Sequence, residues 1–422
     1  MNEYRSHLRL FTPNARLFLF AMSVLAFGTA PSTLFLNLYF EKIGLNREFI
    51  GLVNTVIQVG GALAILPAAL LLDRIGRRAA ILIGGYSATF AWALAVLTPI
   101  PNAILLLLAI NGAGIGLFGL AVVPLLAESS TTQERTTLFS VSEGTTTLAL
   151  FVGSVLSGFV ALWLAPLLAV GAESAEMYRT ILLGSAAIRL VGMLPLILIW
   201  PTPKSGHGSD HAKNITNADR VRFASFFNLH HLVRLKTPIL LYGIPVFLVY
   251  FAGSLIFPFL SLFIKERFGV SDSITGTVLG LLNLSIGAGA LLAPLAVHAI
   301  GRGRVVIGGA LASALALAVI GFTPLFVVAA TVIVLRAGVF NAIIPLYRAY
   351  VIDGAPPEEY TIVVLLLSLC ANIGPALGPA LSGRIQMQYG FSPAFVIAIA
   401  GYALAALIYG LIFAWGNPKA RR

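Results

Sequence analysis

Two arginines stand inside long apolar stretches of this chain, where a positive charge is unusual. Arg189 and Arg336 each lie near the middle of a run that is otherwise almost free of charge. A guanidinium at such a depth costs roughly 2.5–3.5 kcal/mol on membrane-insertion scales. A cavity with fixed positive charge favours an anionic or hydrogen-bond-accepting solute. Both arginines are therefore candidate solute ligands, and a structural pairing would explain either one as well.

Uncharged polar side chains in the apolar runs form a second group of candidates. Each can hydrogen-bond a solute, and each can equally hold two helices together. The sequence predicts a polar cavity lined from this set: Asn37, Asn111, Tyr250, Asn283 and Asn341, with Asn54, Gln58 and Ser254 beside them.

Carboxylates that could carry a coupling proton are scarce. No Asp or Glu lies near the centre of an apolar run, and Glu41 and Glu143, near the ends of two runs, are the remaining candidates. A proton-coupled process needs an acid whose proton affinity changes with access to solvent. Either glutamate could instead be an interfacial anchor.

A compact charge cluster follows the second apolar run, at Asp73, Gly76, Arg77 and Arg78. Gly76 permits a tight turn between two helices, and the carboxylate and guanidinium groups at its flanks could lock them together. Ordinary solvated charges at helix ends are the alternative. The cluster is a candidate conformational switch.

The composition identifies the solvent in which these residues must work. Hydrophobic residues make up 58% of the 422 residues, charged residues 10%, and the mean hydropathy is +0.94. A membrane helix needs about 20 apolar residues. The sequence predicts twelve such helices in an all-α integral membrane protein, near 15–39, 49–72, 79–99, 103–127, 138–165, 178–200, 238–263, 274–297, 304–321, 325–350, 361–384 and 391–415.

The second half of the chain repeats the first at a fixed offset of 225 positions. Gly51 matches Gly276, and Gly158 matches Gly383, without gaps between. Such a repeat predicts two pseudo-symmetric six-helix bundles. We expect the first bundle at 1–200, a cytoplasmic linker with an interfacial helix at 201–236, and the second bundle at 237–422.

The net charge of +11 is distributed unevenly among the loops. With the N-terminus inside, 19 Lys and Arg residues fall on the inner side and six on the outer side. Positive residues favour the cytoplasmic side of a membrane. The charge therefore predicts a plasma-membrane protein with both termini cytoplasmic, in contact with lipid and without a nucleic-acid partner.

Several other functions are not supported by the sequence. Gly114, Gly116 and Gly119 spell a dinucleotide-binding pattern inside an apolar run with no preceding strand, which favours helix packing. No phosphate-binding loop, metal-ligand set or nucleophile with a base is present, and Cys370 is the only cysteine. We therefore expect no cofactor, no metal and no enzymatic activity.

The charge cluster resembles the loop motif of the major facilitator superfamily, G-x-L-x-D-x-x-G-R-R. Leu71, Asp73, Gly76, Arg77 and Arg78 match, and Ala69 replaces the first glycine. The resemblance implies that Asp73 meets the start of the eleventh helix and that the arginines reach Glu128. Both contacts would stabilise the state that is closed on the cytoplasmic side.

A second resemblance concerns the exporters of this superfamily, whose fifth helix carries G-x-x-x-G-P-x-x-G-G. Gly153 and Gly158 match in part, without the proline, whereas the eleventh helix carries Gly378, Pro379 and Gly383. Small residues let helices approach closely. These positions are predicted packing sites of a rocking interface.

Together, the residues and the resemblance predict a monomeric secondary transporter for a small molecule, working by alternating access. Proton-coupled export of small amphipathic, drug-like molecules is the leading prediction. Import or facilitated passage of an organic anion or a sugar-like solute is the alternative, favoured by the two arginines. A non-transport membrane receptor is a remote third.

Overall fold

The computed structural model describes residues 11–128, 135–199, 239–356 and 359–415. The predicted linker at 201–236 lies outside these ranges. The described residues contain twelve helices that are long and apolar enough to cross a membrane. The first half comprises α1 (Pro13–Lys42), α2 (Arg47–Ile75), α3 (Arg77–Leu97), α4 (Pro101–Glu128), α5 (Arg135–Leu168) and α6 (Ala175–Ile197).

The second half begins with a divided helix. It comprises α7a (Ile239–Ile256), α7b (Leu260–Phe268), α8 (Asp272–Ile300), α9 (Arg302–Phe322), α10 (Phe326–Gly354), α11 (Tyr360–Tyr389) and α12 (Phe391–Trp415). A short 3-10 turn, Phe257–Phe259, separates α7a from α7b. The sequence predicted one continuous helix here, and Pro258 explains the break because its nitrogen cannot donate to the helical ladder.

The ends of the helices repeat with the same offset as the sequence. Asn46 and Ser271 cap α2 and α8 by accepting hydrogen bonds from the backbone. Gly76 and Gly301 end the same two helices at φ values of 81° and 84°, a region that L side chains rarely adopt. The charge cluster is thus built on a glycine turn that each half forms independently.

The contacts between the halves also follow the repeat. The α2 helix packs on α11, and α5 packs on α8. A methyl group on Gly51 would overlap the carbonyl of Pro379, and one on Gly276 would overlap that of Ser154. These positions correspond in the two halves, so the interface has the pseudo-symmetry that the duplicated sequence predicted.

Candidate substrate cavity

A cavity of about 370 Å³ lies between the two halves. Residues of α2, α7a, α10 and α11, with the 3-10 turn, form its walls. The hydrogen-bonding groups come from Asn54 and Gln58 in the first half and from Tyr250 and Ser254 in the second. The rest of the lining is apolar or aromatic: Ile57, Val249, Gly253, Phe257, Pro258, Phe340, Pro375 and Pro379.

Tyr250 is the one residue of the main predicted set that lines this cavity. Asn37 is buried toward one end of it, where its Oδ1 accepts from Asn54 at 3.1 Å and its Nδ2 donates to the carbonyl of Pro258. Asn37 therefore satisfies the backbone group at the break of the seventh helix and holds a lining amide in place.

The other predicted amides bond within or between helices and do not line the cavity. Asn111 donates to the carbonyl of Ala88 at 2.8 Å, which joins α4 to α3. Asn283 bonds within α8 and reaches Ser154 of α5 at 3.4 Å. Asn341 donates to Ala337 within α10 at 2.9 Å. Each of these amides therefore has a hydrogen-bond partner within the protein, as expected for a structural role.

The two embedded arginines occupy different surroundings. Arg189 is buried in the first half, with its Cζ 5.5 Å from the ring centre of Trp92 in α3 and its stem against Gly28 of α1. Arg336 is buried in the second half, directly behind Phe257 and Phe340 of the cavity wall. Neither arginine lines the cavity itself, and only Arg336 adjoins it.

One end of the cavity is closed by contacts that cross between the halves. We call the end with the α1–α2, α5–α6 and α7–α8 connections the distal end, and the opposite end the terminal end. Lys265 of α7b pairs with Asp272 and lies 2.8 Å from Glu173 of the first half. The hydroxyl of Tyr178 in α6 donates to Asp272 at 3.2 Å.

A second distal pair lies beside the first. Arg47 at the start of α2 pairs with Glu266 of α7b, and its Cζ lies 4.9 Å from the ring centre of Phe391 in α12. Lys265 and Arg47 thus each tie one half to the other. Sequence reasoning missed both groups, because the partners are far apart in the chain and the residues were counted only as loop charges.

Burial along α1 and α7 shows where the halves meet. All residues from Leu34 to Phe40 and from Phe259 to Ile264 are buried, so the distal parts of these helices are covered on every side. The terminal parts alternate between buried and exposed residues. One face of α11 runs from Pro379 and Pro375 in the cavity to the exposed Asn372. The cavity is therefore closed distally and continues toward the terminal end.

The predicted switch is described only in part. The side chains of Asp73 and Glu128 lie outside the described residues, and Arg78 donates to the carbonyl of Ile197 at the end of α6. The counterpart in the second half is visible: Arg302 donates to Asp353 at 2.6 Å. These two residues correspond in sequence to Arg77 and Glu128. The counterpart pair joins two helices of the same half. Its geometry therefore does not depend on the distance between the two halves.

The two coupling candidates lie at opposite ends. Glu41 is exposed at the distal end, 3.6 Å from Arg47. Glu143 is exposed near the terminal end of α5, one turn from Thr147, whose side chain faces Gly287 of α8. Glu143 thus stands beside the seam between α5 and α8, whereas Glu41 belongs to the distal ion pairs.

The predicted packing residues lie at close approaches between helices. Gly153 meets α1 and Gly378 meets α7a, each within its own half. A methyl group on Gly158 would press on the backbone of Asp272, and one on Gly383 would overlap the carbonyl of Arg47. The last two contacts cross between the halves at the distal end. The carbonyl of Pro379 faces Gly51 across the same seam.

Among the described residues, no three His, Cys, Asp or Glu side chains lie close enough together to hold a metal ion.

The fold is shared with several solved transporters. The chain resembles the nucleoside transporter NupG with a TM-score of 0.72 and 17% identity, covering 95% of this chain and 100% of that one. It resembles a bacterial homologue of the human lysosomal transporter Spinster with a TM-score of 0.72 and 16% identity, covering 99% and 98%. The xylose transporter XylE from E. coli matches with a TM-score of 0.69 and 15% identity, covering 94% and 96%.

Sequence comparison assigns the family and nothing finer. No curated protein matches the chain. The sequence model of the Major Facilitator Superfamily matches residues 17–244 and again 242–422, once for each half of the repeat. With twelve membrane helices, two pseudo-symmetric bundles and a cavity between them, the chain belongs to the major facilitator superfamily of membrane transporters.

Proposed function

We propose that this protein is a secondary active transporter that moves a small amphipathic solute through the central cavity by alternating access. The cavity between the halves, closed distally by cross-half contacts and continuous toward the terminal end, is the observation that supports this proposal. A site between two bundles that can rock against each other is the arrangement that alternating access requires.

The lining favours a ring-bearing solute with several hydrogen-bonding groups. The amides of Asn54 and Gln58 and the hydroxyls of Tyr250 and Ser254 can bind polar atoms, while Phe257 and Phe340 offer apolar faces. No Asp or Glu is among the described lining residues, so the described wall offers no carboxylate to a cation. Two proteins of similar fold are a nucleoside transporter and a D-xylose-proton symporter, which move ring-bearing, hydroxylated solutes.

Proton-coupled export is the mode of transport that we propose, with Glu143 as the coupling acid. Glu143 is exposed beside the α5–α8 seam, where its access to water changes when the halves rock. If the termini are cytoplasmic in the plasma membrane, as the charge asymmetry predicts, the present conformation is open to the cytoplasm, where an export substrate would bind. We further propose that the protein acts as a monomer, because the cavity is complete within one chain.

Facilitated passage of a sugar-like solute or an organic anion is the second candidate. The absence of a carboxylate from the described lining favours it, since a proton carried outside the cavity has no direct contact with the solute. The two modes differ in whether a pH gradient can drive accumulation.

Transport in proteoliposomes tests the proposal. Counterflow should be measured with a nucleoside, a pentose, an aromatic carboxylate and a lipophilic cation. The wild-type protein should exchange at least one ring-bearing solute, and Gln58→Leu should weaken it by about tenfold, as for the loss of one or two hydrogen bonds. Gln388→Leu, an exposed position on α11, is the matched control. Exchange that is absent for every solute would contradict the proposal.

The coupling is tested in the same vesicles with an imposed pH gradient. Accumulation should collapse on addition of a protonophore and should be lost in Glu143→Gln, which should retain counterflow. Glu48→Gln, at the start of α2, serves as the control. Gradient-driven accumulation that persists in Glu143→Gln would assign the proton to another group, and no accumulation in the wild-type protein would support the facilitator.

A further inference from the structure

Arg336 is held in an aromatic cage, and no described carboxylate pairs with it. Its Cζ lies 4.5 Å from the ring centre of Phe257, 4.9 Å from that of Tyr402 and 5.4 Å from that of Phe340. The side chain is 3% exposed, and its Nε and Nη2 have no hydrogen-bond partner among the described residues. Ring faces attract a cation but do not accept the directed hydrogen bonds that a guanidinium offers.

A second unpaired donor points to the same place. The hydroxyl of Tyr402 is fully buried beside the guanidinium and donates to no described residue, while its ring packs on the guanidinium. Buried polar groups nearly always form hydrogen bonds. Two neighbouring side chains with unfilled donors therefore call for a specific explanation. The two side chains together present several donors and no described carboxylate, which is the chemistry of an anion site.

The cage shares its wall with the cavity. Phe257 and Phe340 both line the cavity, so their rings stand between the guanidinium and the cavity. The wall is also thin at Gly253, where an added methyl group would lie 3.3 Å from the Tyr402 hydroxyl. Phe257 belongs to the 3-10 turn between α7a and α7b, where the helical ladder is already interrupted.

We propose that Arg336 and Tyr402 form a latent anion subsite of the cavity, covered by Phe257 and Phe340, and that the transported solute carries a carboxylate or a similar anionic group. Rotation of the Phe257 ring admits the anionic group to the guanidinium. The move displaces the turn between α7a and α7b, so occupation of the subsite is linked to the rearrangement of the seventh helix. This inference rests on the function proposed above and names the substrate class of the same cavity.

Arg189 provides an internal comparison. It is also an embedded arginine beside an aromatic ring, that of Trp92, but it lies among α1, α3 and α6 of the first half. Trp92 does not line the cavity. The subsite assignment therefore depends on the position of Arg336 next to the cavity, and not merely on its charge.

Binding of benzoate and of its neutral amide, benzamide, to the purified full-length protein tests the proposal. Wild-type protein should bind benzoate more tightly than benzamide. Arg336→Gln should weaken benzoate by roughly 30-fold or more, the loss expected when a buried charge loses its partner, and leave benzamide unchanged. Tyr402→Phe removes one donor and should weaken benzoate by roughly threefold to tenfold. Arg189→Gln should leave both affinities unchanged.

Folding of each variant is checked by its elution volume and thermal midpoint, and Arg336→Met provides a second removal of the charge if the glutamine variant is unstable. Phe257→Ala uncovers the subsite and should speed benzoate association. Equal benzoate affinity in wild type, Arg336→Gln and Arg336→Met would overturn the subsite while leaving transport intact. Binding of neither probe, with no counterflow of any solute, would instead contradict the proposed function.

Discussion

The distal and terminal parts of α1 and α7 are built from the same kinds of residue, yet they differ in burial. Distally, Leu34 to Phe40 and Phe259 to Ile264 are covered on every side. Terminally, the same helices alternate between buried and exposed residues. The difference shows that the halves meet at one end and part at the other. Ion pairs and glycine contacts hold the closed end, so the conformational balance can be changed there without altering the cavity.

The largest expected effect comes from a bulky residue at a glycine of the distal seam. Gly383→Leu would drive a side chain into the backbone of Arg47, and overpacking of this kind costs about 1–3 kcal/mol. The distal end should fail to close, and transport should fall by about tenfold or more, measured as counterflow. Gly410→Leu, where nothing lies within 4 Å, is the matched control. Equal transport by both variants would contradict the importance of this contact.

A smaller effect is expected from the buried ion pair. Lys265→Met removes the cation of Asp272, which keeps the Tyr178 hydroxyl as a donor, so the closed distal end loses only part of its stabilisation. A cysteine at Tyr250, in a Cys370→Ala background, should then react faster with an impermeant thiol reagent added at the distal side. Arg302→Met removes the exposed terminal pair with Asp353 and should leave that rate unchanged. A faster rate in both variants would point to general loosening.

The smallest effect is expected at the switch residue. If Asp73 meets the start of α11 when the terminal end closes, Asp73→Asn removes an interaction of about 0.3–1 kcal/mol with a helix terminus. The balance should shift further toward the terminally open state, read as slower reaction of the same cysteine from the distal side. Asp353→Asn lies within one half and should not shift it. Unchanged reactivity in Asp73→Asn would show that Asp73 does not act as a conformational switch.

Much of this architecture could be predicted from the sequence, because hydropathy and a gapless repeat act over the whole chain. Twelve helices, two bundles and the paired glycines of the seam follow from those two patterns. The break at Pro258 was missed because a proline inside a membrane helix is compatible with a continuous span.

The cavity was predicted less well than the fold. The four polar residues of the described lining, Asn54, Gln58, Tyr250 and Ser254, were all named from the sequence. By contrast, Asn111 and Asn341 bond within or between helices of one half. Sequence spacing gives the face of a helix but not the neighbour that this face meets. For the same reason, the roles of Lys265 and Asp272 could not be foreseen: their partners Glu173 and Tyr178 are brought to them only by the packing of the two halves.

Alternating access requires the two ends to open and close in opposition, and paired distance measurements test this most directly. In a Cys370→Ala background, one spin-label pair at Lys42 and Tyr389 reports the distal end, and another at Arg74 and Ile300 reports the terminal end; the structure shows all four positions exposed. Across apo and solute-bound samples, the distal distance should lengthen as the terminal distance shortens. Distances that change in the same direction, or a distal distance that never changes, would contradict alternating access in this protein.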